Sequence, residues 1–322
     1  MDKITFKTFS LLLVAIFALF LVTSCGNNNQ KKKQIIGISI PSADHGWTGG
    51  VVWWAQQAKK KLEAENKDLT VIISTAKDAA EQVDKIENLL VRKISALVVL
   101  PHEPAPLTGI CQSVKAKNVK LLVVDRNLEK DIQDLTIAGD NTGFGKVAAQ
   151  EIAKELKGKG NILIMEGIPC AVNNDRVNGF KQVIKNYPNI KILDSQSADW
   201  NPEKGLKLME NFLQKYKAID AVWAGDDDVL VGALQAYKES KRNDVKLFVG
   251  GGGSKVIIKR ILDKDPVVKL TVTYPPKMVY VAAQKALEML NGKTFNEKVV
   301  VVPAEAVTSQ NAKDFYFPDS AY

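Results

Sequence analysis

The chain has 322 residues, 46% hydrophobic and 25% charged, with 21 Gly, 12 Pro and 3 Cys; this excludes a collagen-like, disordered or disulfide-dense protein. The length suits two domains, each large enough to bury its own core. The net charge of +8 is spread along the chain and forms no clustered basic face, so no nucleic-acid partner is expected.

In chain order, Lys3 and Lys7 precede an unbroken apolar run of 12 residues at 11–22. That is shorter than the roughly 20 residues needed to span a bilayer core. It fits the apolar segment of an export signal. The run ends in Val22-Thr23-Ser24-Cys25-Gly26, which resembles a bacterial lipobox. The resemblance implies cleavage before Cys25, lipidation of its thiol and anchorage to a membrane. Residues 25–33 are polar and lysine-rich, and read as a flexible tether. Cys111 falls in a helical stretch and Cys170 in a loop assigned to the other domain, so both are expected as free thiols. With His45 and His102 the only histidines and no Cys-x-x-Cys pair, no metal site is expected.

Short β-branched runs then alternate with longer amphipathic stretches. Strands are predicted at 35–40, 71–73, 97–100 and 121–124, with helices at 49–66 and 81–93. The rhythm restarts with helices at 144–156, 177–186, 204–216 and 229–238 and strands at 161–165, 190–194, 221–224 and 246–249. The tail from about 267 supplies further strands and a helix at 279–290. The strands are apolar on both faces, which predicts α/β architecture with two doubly wound parallel-sheet domains in tandem.

Ligands of such sheets sit beyond the carboxyl ends of the strands. Those ends carry Asp44, His45 and Trp47; His102 and Glu103; Asp125 and Arg126; Asn173, Asn174, Asp175 and Arg176; Asp199, Trp200 and Asn201; Asp226, Asp227 and Asp228; and a glycine run at 250–253. Carboxylates accept from paired hydroxyls, Arg offers a fixed fork of donors and Asn offers both roles. An indole face packs on the C–H face of a sugar ring. The set suits a neutral polyhydroxylated ligand. Trp53 and Trp54 read as core. Asp140 and Asn141 read as helix cap and hinge support. Of the three aspartates at 226–228, Asp226 is assigned to ligand and a neighbour to capping the next helix.

Val123-Val124-Asp125-Arg126, Asp140-Asn141, Arg176-Val177-Asn178-Gly179-Phe180, Ala198-Asp199-Trp200 and Asp226-Asp227 follow one another in an order that resembles the type I periplasmic sugar-binding proteins, the ribose-binding kind. The resemblance spans nearly all of 34–310. It implies two domains joined by a three-crossing hinge and closing over a sugar that is passed to the membrane permease of an ABC transporter. The implied division is a signal at 1–24, a tether at 25–33, a first domain at 34–139 plus 275–303, and a second at 140–274 plus 304–322. Carried over residue by residue, the first-loop aromatic is Trp47 with His45 before it, and the strand-four pair is Asp125 and Arg126. Asn174 stands where the family often has a basic residue. The second stacking aromatic is Trp200, the carboxylate after the Ala-Val-Trp-Ala strand is Asp226, and the hinge position is Tyr274. One departure stands out: the family commonly has Asp after the Val-Gly of the next strand, and 249–254 here has no carboxylate. That puts ribose itself in doubt and leaves a bulkier sugar, an open-chain polyol or a negatively charged ligand open.

There is no Gly-x-Ser-x-Gly elbow, no phosphate loop and no metal spacing, so a cofactor-free binding protein is expected, not an enzyme. A monosaccharide or sugar alcohol is the expected ligand, and monomer the default state. The rival reading is a sensory protein that presents its ligand to a membrane receptor.

Overall fold

The computed structural model describes residues 33–43 and 46–322. The expected signal, Cys25 and its lipidation, the tether up to residue 32, Asp44 and His45 lie outside the described residues. No helix among the described residues is long and apolar enough to cross a membrane.

Two six-stranded sheets organise the chain. The first takes β1 (Gln34–Pro41), β2 (Leu69–Ala76), β3 (Ala96–Val99), β4 (Lys120–Val124), β5 (Leu135–Gly139) and β11 (Val299–Val302), in the order β11-β5-β4-β3-β1-β2. All its pairings are parallel, as in Ile38↔Val98 and Val123↔Thr136. The second takes β6 (Lys159–Glu166), β7 (Asn189–Ser197), β8 (Ala221–Ala224), β9 (Leu247–Gly252), β10 (Val268–Thr273) and β12 (Ala306–Thr308), in the order β12-β10-β9-β8-β6-β7. Only β12 runs antiparallel there. Each sheet is one α/β domain.

Helices cover both faces of each sheet, which is why the strands are apolar throughout. In the first domain Ile36, Ile38, Val98, Leu122 and Ile137 face α1 (Gly46–Glu65) and the helix at Met278–Leu290, here α9. Leu97, Val99, Leu121 and Val123 face α2 (Ala79–Val91) and α3 (Pro104–Ala116). In the second domain Ile162, Ile164, Trp223 and Val249 share a core with α4 (Asn141–Glu155) and α5 (Ala171–Ile184). Trp223 is fully buried and stacks on Phe180, ring centroids 4.2 Å apart. Leu163, Met165, Val222 and Phe248 face α6 (Pro202–Lys215), α7 (Asp227–Ser240) and α8 (Lys255–Leu262).

The chain passes between the domains after β5, after β10 and between β11 and β12. A short helix, α10 (Ala312–Phe315), packs on α8 and β12. Residues 317–322, expected with the second domain, then lie on α1 of the first. Phe317 sits 5.6 Å from Trp53 and 5.0 Å from Trp54, ring to ring. Those two tryptophans are half-buried and serve as a platform for Phe317 as well as packing beneath it. β5, α8 and α10 were not predicted, and α3 was foreseen only as a helical stretch around Cys111 without bounds. Cys111 is buried and Cys170 half-buried, and both are free; burial pushes the Cys111 thiol up to about 12.

Candidate functional site

The carboxyl ends of both sheets converge on a cleft of about 520 Å³, within the size range of small-ligand sites. It is lined by Trp47, Asp125, Arg126, Arg176, Trp200, Asp226, Asp228, Tyr274 and Tyr322, with Asp199, Asn201, Cys170 and Gly251–Gly252 at its margins.

On the first domain, Asp125 follows β4 in the left-handed region, φ +62°. That turn aims its carboxylate sideways, where it accepts from the Tyr274 hydroxyl at 2.5 Å. Arg126 stands 3.8 Å from Asp125 and donates to the His102 carbonyl at 3.1 Å. The two side chains remain an ion pair, and each has a further anchor of its own. Trp47, in the first turn of α1, donates from its indole to the Tyr274 carbonyl at 2.9 Å. Burial and the Asp125 charge raise the Tyr274 phenol well above its ordinary value, so it stays a hydrogen-bond donor.

Arg176 forms the floor. Its guanidinium is buried and donates to Asn141 Oδ1 at 3.0 Å and to the Gly225 carbonyl at 2.9 Å. It lies 4.3 Å from the Phe144 ring, 4.4 Å from Tyr274 and 5.8 Å from Trp200, close enough for cation–π attraction. Asp199 and Trp200 both take positive φ, +53° and +52°. Two consecutive non-glycine residues in that region are costly unless the surroundings hold them. Here the Ser197 hydroxyl and Lys204 bind the Asp199 carboxylate, each at 2.6 Å, and hold it below the usual carboxylate range. The turn lays the Trp200 indole over Gly167, where a β-carbon would lie 2.0 Å from Nε1. That indole N–H is buried with no partner among the described residues, a donor available to a ligand.

Asp226 combines two roles that sequence reasoning assigned to different residues. It lines the cleft, and its Oδ1 caps α7 by accepting from the amides of Asp228 and Val229 at 2.8 and 3.1 Å. Burial first, then the Asp228 and Asp227 charges, push its carboxyl up to about 8. Asp227 is fully buried, accepts from the Ser254 amide at 2.6 Å and the Thr271 hydroxyl at 2.8 Å, and is pushed up by burial to about 7. Both carboxyls are raised above their unfolded values. The unfolded carboxyls ionise from about pH 4 while the folded ones keep their protons, so stability is lost progressively as the pH rises from there through about 7–8 and is regained as the pH falls. The melting temperature should drop by several degrees between about pH 6 and about pH 9, and drop less in Asp227→Asn, which keeps the shape but cannot ionise. Equal slopes in the two proteins, read by calorimetry, would remove Asp227 from this account.

Two expected site residues fall elsewhere. Asn174 is exposed on α5 and does not line the cleft. At 100° per residue, 172 and 176 share the face toward the cleft while 174 points away. Its neighbour Asn173 is the buried one, accepting from the Gly167 amide at 2.8 Å and donating to Glu166 at 3.0 Å. Glu103 is exposed at the start of α3 and is also absent from the lining. The backbone of that turn does the work instead, through the Pro101 and His102 carbonyls that receive Arg126. Arg176, Asp228 and Tyr322 were missed. Arg176 stood within a quoted motif; Tyr322 carried no sequence signal.

The glycine run behaves differently from a backbone surface. Gly250 leaves room for Asp227 and Gly251 for Phe144, each about to touch where a β-carbon would stand, at 2.0 Å.

Residues 36–294 match the periplasmic binding protein domain. The chain is 28% identical to the ribose import binding protein of Bacillus subtilis strain 168, over 92% of this chain and 98% of that one. A solute-binding protein of Actinobacillus succinogenes 130z with bound D-allose superimposes with a TM-score of 0.76 at 24% identity, covering 88% of this chain and all of the other. The fructose-binding periplasmic domain of a hybrid two-component system superimposes at 0.71, with 27% identity, 88% of this chain and 93% of the other. The chain belongs to the periplasmic binding protein family, and within it to the type I sugar-binding proteins.

Proposed function

We propose that the protein captures a neutral monosaccharide or sugar alcohol in the interdomain cleft and delivers it to an ABC importer. The observation that carries this reading is the cleft itself: two indoles, Trp47 and Trp200, flank carboxylates and guanidiniums contributed by both domains. Asp125, Arg126 and Trp47 hold the ligand from one side and Trp200, Asp226 and Tyr274 from the other, with Arg176 beneath. Asp125, Asp199 and Asp228 stand against Arg126 and Arg176, so the chamber has no cationic surplus to attract a phosphate or carboxylate. No covalent step is assigned; the work is capture and closure, a population shift between domain arrangements. The relatives named for ribose import and D-allose support the sugar class. An extracytoplasmic location follows from the same reading, with the leader at 1–24 removed and Cys25 lipidated.

Thermal melting of the protein against pentoses, hexoses, sugar alcohols, inositols, sugar phosphates and amino acids tests this. A cognate sugar at about 1,000 times its Kd should add roughly 4 kcal/mol of stability and raise Tm by several degrees. Asp125→Asn should remove most of the shift while leaving the ligand-free Tm nearly unchanged. A response confined to amino acids or phosphates overturns the ligand class. A second reading, in which the closed form signals to a membrane receptor, draws on the fructose-binding domain of the two-component system; it shares the site and differs only in the partner.

A further inference from the structure

The segment after α10 crosses back to the first domain and ends inside the cleft. Phe317 is held on Trp53 and Trp54. Lys255 donates to the carbonyls of Pro318 and Ser320 and so ties the segment to the second domain. Ala321 and Tyr322 lie along a face of α1 that has no side chains. A β-carbon at Gly49 would stand 3.0 Å from Ala321 Cβ, one at Gly50 3.0 Å from Tyr322 Cβ, and one at Gly46 2.9 Å from the Tyr322 ring. The other end of the ring reaches the second domain: the Tyr322 hydroxyl lies 2.0 Å from where a β-carbon of Gly252 would stand. Gly252, at φ +112°, ends β9 within the glycine run that lacks a carboxylate. The phenol therefore fills the volume that a side chain from the end of β9 would otherwise occupy.

Tyr322 lines the cleft and is 8% exposed, yet its hydroxyl has no hydrogen-bond partner among the described residues. A buried hydroxyl without a partner costs stability. Its place in a ligand chamber, against two glycines of α1 that make room for it, is explained by a partner that arrives with the ligand.

We propose that residues 317–322 are a strap across the cleft and that Tyr322 is a specificity-determining wall of the chamber, its hydroxyl exchanging a hydrogen bond with a ligand hydroxyl beside β9. The ligand contact rests on the sugar reading above; the strap does not. By replacing a carboxylate on β9 with a neutral phenol, the chamber favours a ligand that offers a single hydroxyl and an apolar C–H edge there, and disfavours one that needs a doubly accepting group.

Tyr322→Phe and Tyr322→Ala separate the two parts. Without ligand, hydrogen exchange of the amides at 46–52 and 250–254 should accelerate at least about tenfold in Tyr322→Ala and stay unchanged in Tyr322→Phe. The ligand-free Tm of Tyr322→Phe should equal or exceed that of the parent, because the variant loses only an unpaired polar group. In titrations with D-ribose, D-allose and D-fructose, whichever binds tightest should bind at least about fivefold more weakly to Tyr322→Phe. Unchanged exchange in Tyr322→Ala overturns the strap. Unchanged affinity in Tyr322→Phe, or a lowered ligand-free Tm, overturns the assignment of the hydroxyl to ligand. Failure of all three sugars to bind the parent counts against the sugar reading, and exchange still decides the strap.

Discussion

Arg176→Met should abolish sugar binding and lower the stability of the ligand-free protein by about 3 kcal/mol. Methionine keeps much of the aliphatic stem and removes the guanidinium that lies against Phe144 and Tyr274. Two buried acceptors, Asn141 Oδ1 and the Gly225 carbonyl, are left unpaired, each costing about 1–3 kcal/mol. The charge matters as well. Arg176 holds down the carboxyl of Asp226 and the phenols of Tyr274 and Tyr322 against burial. Without it, Asp226 becomes a still weaker acid, and the cleft loses both a donor fork and the cation that balances its carboxylates. Arg176→Lys restores the charge but not the planar fork, and one ammonium on a flexible stem does not reproduce both donor directions. It should recover part of the stability and little of the affinity. Urea unfolding and titration calorimetry read the two effects separately. If Arg176→Met binds sugar like the parent, the guanidinium is a structural prop and the cleft floor has been misassigned.

The split between what the residues disclosed and what they hid has a physical pattern. β1, β3, β4 and β8 were legible because a strand buried on both faces must be apolar without interruption. β5 was not: Leu135–Gly139 is short and sits between polar loops. The start of α3 was hidden by Pro104, which read as loop, although a proline in the first turn removes no hydrogen bond that a helix needs. α8 has eight residues behind a glycine run, too few for a clear period. At the site, the strand-end rule named Trp47, Asp125, Arg126, Trp200 and Asp226, and the family resemblance named Tyr274; all six line the cleft because each directly follows a strand or opens the next helix. Asn174, turned away by helical phase, and Glu103, beside backbone carbonyls that receive Arg126, lie outside that lining. Tyr322 lies far from every strand end in sequence. Its position depends on the path of the chain after α10, which no local pattern encodes.

The second large effect is expected where no functional group is involved. Gly145→Val should destabilise the protein by more than about 3 kcal/mol, as clashes with fixed backbone do. A β-carbon at Gly145 on α4 would stand 1.8 Å from the Arg176 carbonyl and 2.7 Å from the Phe180 amide, both on α5. In return, a β-carbon at Gly179 on α5 would stand 2.2 Å from the Thr142 carbonyl on α4. The two helices thus meet backbone to backbone through a reciprocal glycine pair, and no rotamer change relieves the clash. Separating them also shifts residues 173–180, which carry Arg176 into the cleft and Phe180 onto Trp223. Binding should therefore fall together with stability, whereas Asp125→Asn lowers binding alone. Gly109→Ala is the matched control: that glycine is an exposed position on α3 with nothing within 4 Å, so the change should stabilise by up to about 1 kcal/mol through helix propensity. Urea melts of the two variants against the parent give the comparison. A Gly145→Val protein as stable as the parent would mean that the two helices are not held at this distance in solution, and with that the rigid placement of Arg176 would be lost.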